Sequence, residues 1–193
     1  MRVPGLRRGG GRVAVLALAL AVAAPAVLAP EPPRAEAAAC NGAKAGPTTI
    51  SRGAAGRAVV CLINKRRRAH GMGGVKYRKP LRKAGRRHSV RMLNTRCMAH
   101  QCSGEKDLAG RIHDTRYLPC GCTWGVGETI AAMTSYRARP VNVVKAWMQS
   151  PGHRSVLLSR SFRHVGVGLV WGVPWAPNKR RSATYTADFG FKR

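Results

Sequence analysis

Acids are scarce in this 193-residue chain: 7 Asp and Glu stand against 35 Lys and Arg, for a formal net charge of +28. That imbalance rules out a self-neutralising surface and points to polyanionic partners, whether cell-wall phosphate, lipid headgroup, acidic polysaccharide or nucleic acid, without choosing among them. Aromatic residues are few, at 6%. The arginines are spread over helix faces and loops rather than interleaved with exposed rings, which argues against sequence-specific nucleic-acid recognition. Also missing are the His-Glu-x-x-His of a helical zinc protease and a serine nucleophile with an oriented base. Beyond residue 29 no apolar run is long enough to span a bilayer. The six cysteines lack Cys-x2-Cys spacing, since Cys97 and Cys102 enclose four residues and Cys120 and Cys122 one, so a zinc-thiolate cluster is disfavoured.

What is present begins with an export signal. Arg2, Arg7, Arg8 and Arg12 precede the apolar run "VAVLALALAVAAPAVLA" (13–29), and "PEPPRAEAAAC" offers small residues for cleavage near 37–39. Residues 1–39 therefore read as a signal peptide, and the mature protein as secreted and cell-wall associated. "AAAC" invites a lipoprotein reading, but a charged, proline-bearing stretch separates Cys40 from the apolar run, which disfavours a lipid anchor. Residues 40–193 keep a net +25 with five acids. All six cysteines fall in that span, an even number in an exported chain, so disulfides are expected. Cys40 with Cys61 would pin the N-terminal lead-in. Cys120 and Cys122 sit too close to bridge each other easily, so each is expected to reach back to Cys97 or Cys102.

Residues 40–53 read as an irregular lead-in. Ala55, Val59, Leu62 and Ile63 then recur at helical spacing, closed by "KRRRAHG", a solvated helix end with Gly71 or Gly73 as its left-handed cap. Pro80 opens a second helix whose apolar face carries Leu81, Ala84, His88, Met92 and Leu93, with His88 read as a hydrogen-bonded core residue. The turn-rich span 97–122 holds at most a short helix in "LAGRIHDTRYL". In "TWGVGETIAAM", Gly125 and Gly127 suggest a tight turn, with Glu128 at the start of an apolar helix. A further helix begins at Pro140. Ser150 and Pro151 then form a helix-start signal that puts His153 in a first turn, where the helix dipole lowers its pKa and favours the neutral imidazole. Two strands, 164–172 and 183–191, should pair as an antiparallel hairpin across a basic loop containing Trp175, read as a ligand or membrane contact or as a loop anchor. Helices first and strands last give an α+β domain.

The series "CLINKRRRAHG", "LRKAGRRHSVRML", "MAHQC", "GVGETIA", "VVKAWMQSPGHRSVLL", "FRHVGVGLVWG" and "TYTADFG" resembles, in order, a bacterial member of the CAP superfamily (SCP-like; cysteine-rich secretory proteins, antigen five, pathogenesis-related one). The resemblance implies a three-layer α-β-α sandwich with a small central antiparallel sheet over residues 54–193. It also implies a cleft lined by histidines and acids that in some members binds a divalent metal. Its counterparts here are His100, Glu128 and His153. "GET" replaces the usual "GEN", through Thr129, and the second acid of eukaryotic members is missing near Gln149 and Ser150. Two imidazoles and one carboxylate can still hold zinc with an open water position, although no cofactor is required. The family has no shared reaction, so the leading expectation is a monomeric binding protein. It would act on anionic cell-wall or membrane-surface components, with a lipid or small ligand in the cleft. The alternatives are a metal-dependent hydrolase with Glu128 as proton acceptor, or a cationic polyanion-binding or antimicrobial protein.

Overall fold

The computed structural model describes residues 39–118 and 121–193. The expected signal peptide, except for Ala39, lies outside the described residues, as do Pro119 and Cys120. The elements are α1 (Arg52–Ala69), β1 (Lys76–Tyr77), α2 (Lys79–Asn94), α3 (Leu108–His113), β2 (Trp124–Thr134), a 3-10 turn (Ser135–Ala138), α4 (Pro140–Gln149), α5 (Pro151–Leu157), β3 (His164–Trp171) and β4 (Ser182–Lys192).

Local signals account for most helix ends. The Ser51 hydroxyl accepts the Ala54 N–H at 3.2 Å at the start of α1. At its end Gly71 (φ +66) donates to Arg68 O and Met72 to Arg67 O, the paired bonds of a left-handed glycine cap. The "KRRR" run is not wholly solvated, however. Arg67 is 2% exposed, and its guanidinium donates to the carbonyls of Gly73, Leu157 and Ser159, tying α1 to the end of α5.

The four strands run in the order β1-β3-β4-β2. β3 and β4 pair antiparallel as expected, while the short β1 adds a parallel pair through Lys76 and Tyr77. The segment expected to turn and start a helix at Glu128 is instead the long strand β2, paired antiparallel with β4 from Trp124↔Lys192 to Thr134↔Ser182. Its glycines serve packing, since a Cβ on Gly125 would meet Phe191 at 2.5 Å and one on Gly127 would meet Phe162 at 2.6 Å. Val126, Thr129 and Ile130 suit the pleat.

Alternation along the strands builds the two faces. Val165, Val167 and Leu169 of β3, with Tyr185, Ala187 and Phe189 of β4, pack with α1 residues Ala55, Val59 and Ile63 and α4 residues Val143, Val144 and Trp147. The indole of Trp147 donates to Ile130 O at 2.9 Å. On the other face Gly166 and Gly168 admit α2 almost to backbone contact, for a Cβ there would lie 2.0 Å from Arg82 N and 1.9 Å from Arg86 N. The result is the α-β-α layering expected, with Glu128 and Asp188 as register partners on strands β2 and β4.

Cys40 and Cys61 are bonded, holding the lead-in to α1. Cys97 and Cys102 are bonded to each other across a tight loop, with their Cα atoms 6.0 Å apart, so neither reaches to Cys120 or Cys122 as expected. The backbone brings them together: Arg96 takes φ 53, and the Cys97 N–H returns to Met92 O at the end of α2.

Candidate functional site

Glu128 is the centre of a polar cluster enclosed between the sheet, α2, α3 and the Cys97–Cys102 loop. Its side chain is 2% exposed, and both carboxylate oxygens are engaged. Oε1 accepts from His100 Nδ1 at 2.7 Å, and Oε2 accepts from Arg111 Nη2 at 2.6 Å. Arg111 comes from α3, where Asp107 caps the helix by accepting the Gly110 N–H. It also donates to His100 O at 2.7 Å, so one guanidinium fixes both the carboxylate and the backbone of the histidine bound to it.

The cluster extends inward. His88, fully buried on α2, has an acceptor facing each ring nitrogen: the Glu105 carboxylate at Nδ1 (2.9 Å to Oε2) and Ala99 O at Nε2 (3.1 Å). Glu128 Oε1 lies 3.8 Å from the same Nε2. Glu105 also accepts the Cys102 N–H, which anchors the disulfide loop. The inward-facing, hydrogen-bonded His88 expected from the helical stripe is what the structure contains.

Asp188 is 0% exposed and, as a carboxylate, has no donor facing either oxygen. Burial, and then the charge of neighbouring Glu128, push its pKa well above the usual range, so it is the neutral acid that fits, with its hydroxyl available to Glu128. Burial also pushes Glu128 upward, but the hydrogen bond from His100 and the charges of Arg111 and His88 together hold it below the usual value. The hydrogen bond to Glu128 raises the pKa of His100.

Of the three residues expected to meet, His100 and Glu128 are in contact. His153, in the first turn of α5, is half-buried and makes no hydrogen bond or ion pair with either among the described residues. It is near enough to His100 for charge to matter: burial first, and then the His100 charge, lower its pKa. The helix-start signal was thus correctly placed, although the Ser150 side chain makes no capping bond. The two imidazoles have opposite tendencies. His100, 58% exposed, is suited to carry a proton, and His153 to accept one.

A metal fits this arrangement poorly. Arg111 already supplies the cation facing Glu128, and among the described residues no three His, Cys, Asp or Glu side chains converge as a ligand set. Sequence reasoning missed Arg111, Glu105 and Asp188. Asp188 carried a readable signal, an acid at an inward strand position within "TYTADFG". Arg111 carried none, being one arginine among many.

Residues 60–172 match the family described as "Cysteine-rich secretory protein family" (CAP). The uncharacterized protein YkwD of Bacillus subtilis (strain 168) is 32% identical over 131 residues, covering 67% of this chain and 47% of that protein. Among solved structures, an extracellular SCP-domain protein of Bacillus anthracis superposes with a TM-score of 0.59 at 23% identity, over 72% of this chain and 40% of that one. An outer surface protein of Borrelia burgdorferi gives 0.56 at 17% identity, over 70% of this chain and 90% of that one. The chain thus spans less than half the length of YkwD and of the Bacillus anthracis protein. With more than half its residues inside the family match and the α-β-α layering in place, the chain belongs to the CAP, or cysteine-rich secretory protein, family.

Proposed function

We propose that this is an extracellular binding protein of the cell envelope, held to anionic wall or membrane components by its surface charge. In this reading His100 and the nearby His153, with the buried Glu128 behind His100, take a small polar ligand. The observation that carries the reading is where the five acids of residues 40–193 have gone. Glu105, Glu128 and Asp188 lie in the interior cluster, Asp107 caps α3, and Asp114 is paired with Lys106 at 2.9 Å. The outer surface is therefore cationic almost without relief, the condition for long-range attraction to polyanions. The two disulfides among the described residues suit an extracytoplasmic setting, and the similar Bacillus anthracis and Borrelia burgdorferi proteins are an extracellular and an outer surface protein.

The test is co-sedimentation with vesicles containing phosphatidylglycerol and with purely zwitterionic ones, across a salt series. Binding confined to the anionic vesicles and weakening steadily with salt is expected. Binding that is indifferent to vesicle charge and to salt would sink the proposal.

A further inference from the structure

The far end of the β2–β4 ladder carries an unusual concentration of features that the His100 site does not use. Four non-glycine residues among the described ones have positive φ, and two of them, Ser135 (φ 55) and Arg181 (φ 55), flank the last register pair, Thr134↔Ser182. Left-handed backbone at such residues costs free energy and tends to collect where a chain has a task besides folding. Here Ser135 and Arg181 line a hollow of about 410 Å³ together with the lead-in over residues 44–49. The lead-in is itself fixed, by the Cys40–Cys61 disulfide and by the Val141 N–H donating to Ala43 O.

The hollow is lined by Lys44, Arg139 and Arg181 and by no acid. Tyr136 stands at its edge, 59% exposed, and also lines a second hollow of about 360 Å³ bearing Arg137 and Lys145. Its ring is free but its backbone is not: Tyr136 O accepts from the Asn142 side chain at 2.6 Å and from the Arg139 N–H at 3.2 Å. An exposed phenol ring on an anchored backbone, between two cationic hollows, has no part in the core.

We infer that this end of the sheet is a binding track for an acidic polysaccharide, with one sugar ring stacked on Tyr136 and carboxylates of neighbouring units held by the cations on either side. A sugar presents an apolar ring face to an aromatic and hydroxyls to groups such as Thr48 and Ser135, and arginine pairs well with a carboxylate. The inference rests on the proposal that polyanions are the partner, and it names where and by what chemistry one of them is held.

The experiment measures affinity for polygalacturonate, for inorganic polyphosphate, which has charge but no ring, and for uncharged dextran. It compares wild type with Tyr136→Ala, with Arg139→Glu plus Arg181→Glu, and with a charge-matched control, Arg66→Glu plus Arg68→Glu, at the exposed end of α1. Unchanged thermal unfolding would show that each variant is folded. The Arg139 and Arg181 pair should cost polygalacturonate binding about tenfold or more, against about threefold or less for the control, which acts only through the long-range field. Tyr136→Ala should weaken polygalacturonate and leave polyphosphate unchanged. Equal losses in both double variants with no effect of Tyr136→Ala would overturn the track while leaving general charge attraction intact. A loss on polyphosphate in Tyr136→Ala matching that on polygalacturonate would overturn the sugar assignment. Failure of wild type to bind either polymer at low salt would overturn the reading beneath it as well.

Discussion

Arg111 is the residue on which the interior cluster turns. Glu128 is almost fully enclosed, and a buried carboxylate persists as an anion only with a partner that offsets its lost hydration. Arg111→Met keeps the volume and removes the charge, and should cost about 3–5 kcal/mol, the range for breaking a buried pair. Chemical denaturation of the variant against wild type measures it. A cost below about 1 kcal/mol, as for a surface pair, would mean that Glu128 is solvated. Asp188 acts in the opposite sense. Unfolded, it ionises near 3.8; folded, it keeps its proton to a higher pH, so above 3.8 the folded state binds more protons and stability falls as pH rises. Glu128, held low, contributes stability that is present above 4.5 and lost as pH falls through its folded value. Asp188→Asn removes the first effect, leaves the second, and still offers Glu128 a donor. Unfolding midpoints followed from pH 4 to 8 should show the variant gaining on wild type as pH rises. A constant difference across the range would mean that Asp188 ionises normally.

At the scale of elements, the legibility of the sequence followed the kind of signal each segment carried. Helices α1, α2 and α4 announced themselves through apolar spacing, and α5 through Ser150 and Pro151, because helix period and capping are local properties. Strand β2 was misread as a turn and a helix start because Gly125 and Gly127 look like punctuation when their neighbours are unknown. Their reason lies in Phe191 and Phe162, which arrive from distant parts of the chain. The Cys40–Cys61 bond was legible, but the expected reach of Cys97 and Cys102 to Cys120 and Cys122 failed for a related cause, since the turn at Arg96 that brings Cys97 to Cys102 has no sequence signature. His100 and Glu128 were found through family resemblance and the buried His88 through its stripe, while the arginine joining the site stayed hidden. The glycines of "HVGVGLVWG" carry a sharper demand than any turn. At Gly168 a Cβ would enter the backbone of α2 at Arg86, which cannot yield like a side chain. Gly168→Ala should therefore destabilise the fold by about 3 kcal/mol or more, against a few tenths either way for Gly152→Ala, where a Cβ meets nothing within 4 Å. Thermal unfolding of the two variants side by side decides it, and similar midpoints would contradict the close approach of α2 to β3.

At the scale of the molecule, the separation of charge among the described residues is radial: three of the five acids lie inside with Arg111 and His88, and apart from the buried Arg67 the other cations lie toward the outside, facing one another across water. Self-repulsion of that shell opposes the compact state, and mobile ions relieve it over a Debye length of about 8 Å at physiological ionic strength. The interior ion pairs are shielded from salt and only the Lys106–Asp114 pair lies at the surface, so screening acts mainly on the unfavourable term. Raising sodium chloride from about 10 mM to about 500 mM should therefore raise the unfolding midpoint, where a protein stabilised by surface ion pairs would lose stability over the same interval. A polyanion that binds only the folded shell should add to this by mass action at low salt, and its contribution should fade as salt rises, because the two compete for the same cations. The midpoints with and without the polyanion should therefore converge as salt rises. Differential scanning calorimetry with and without polygalacturonate, at each salt concentration, measures both. A midpoint that falls with salt in the free protein would show that the outer cations are already paired, and the charge shell would then lose its role in holding the protein to the envelope.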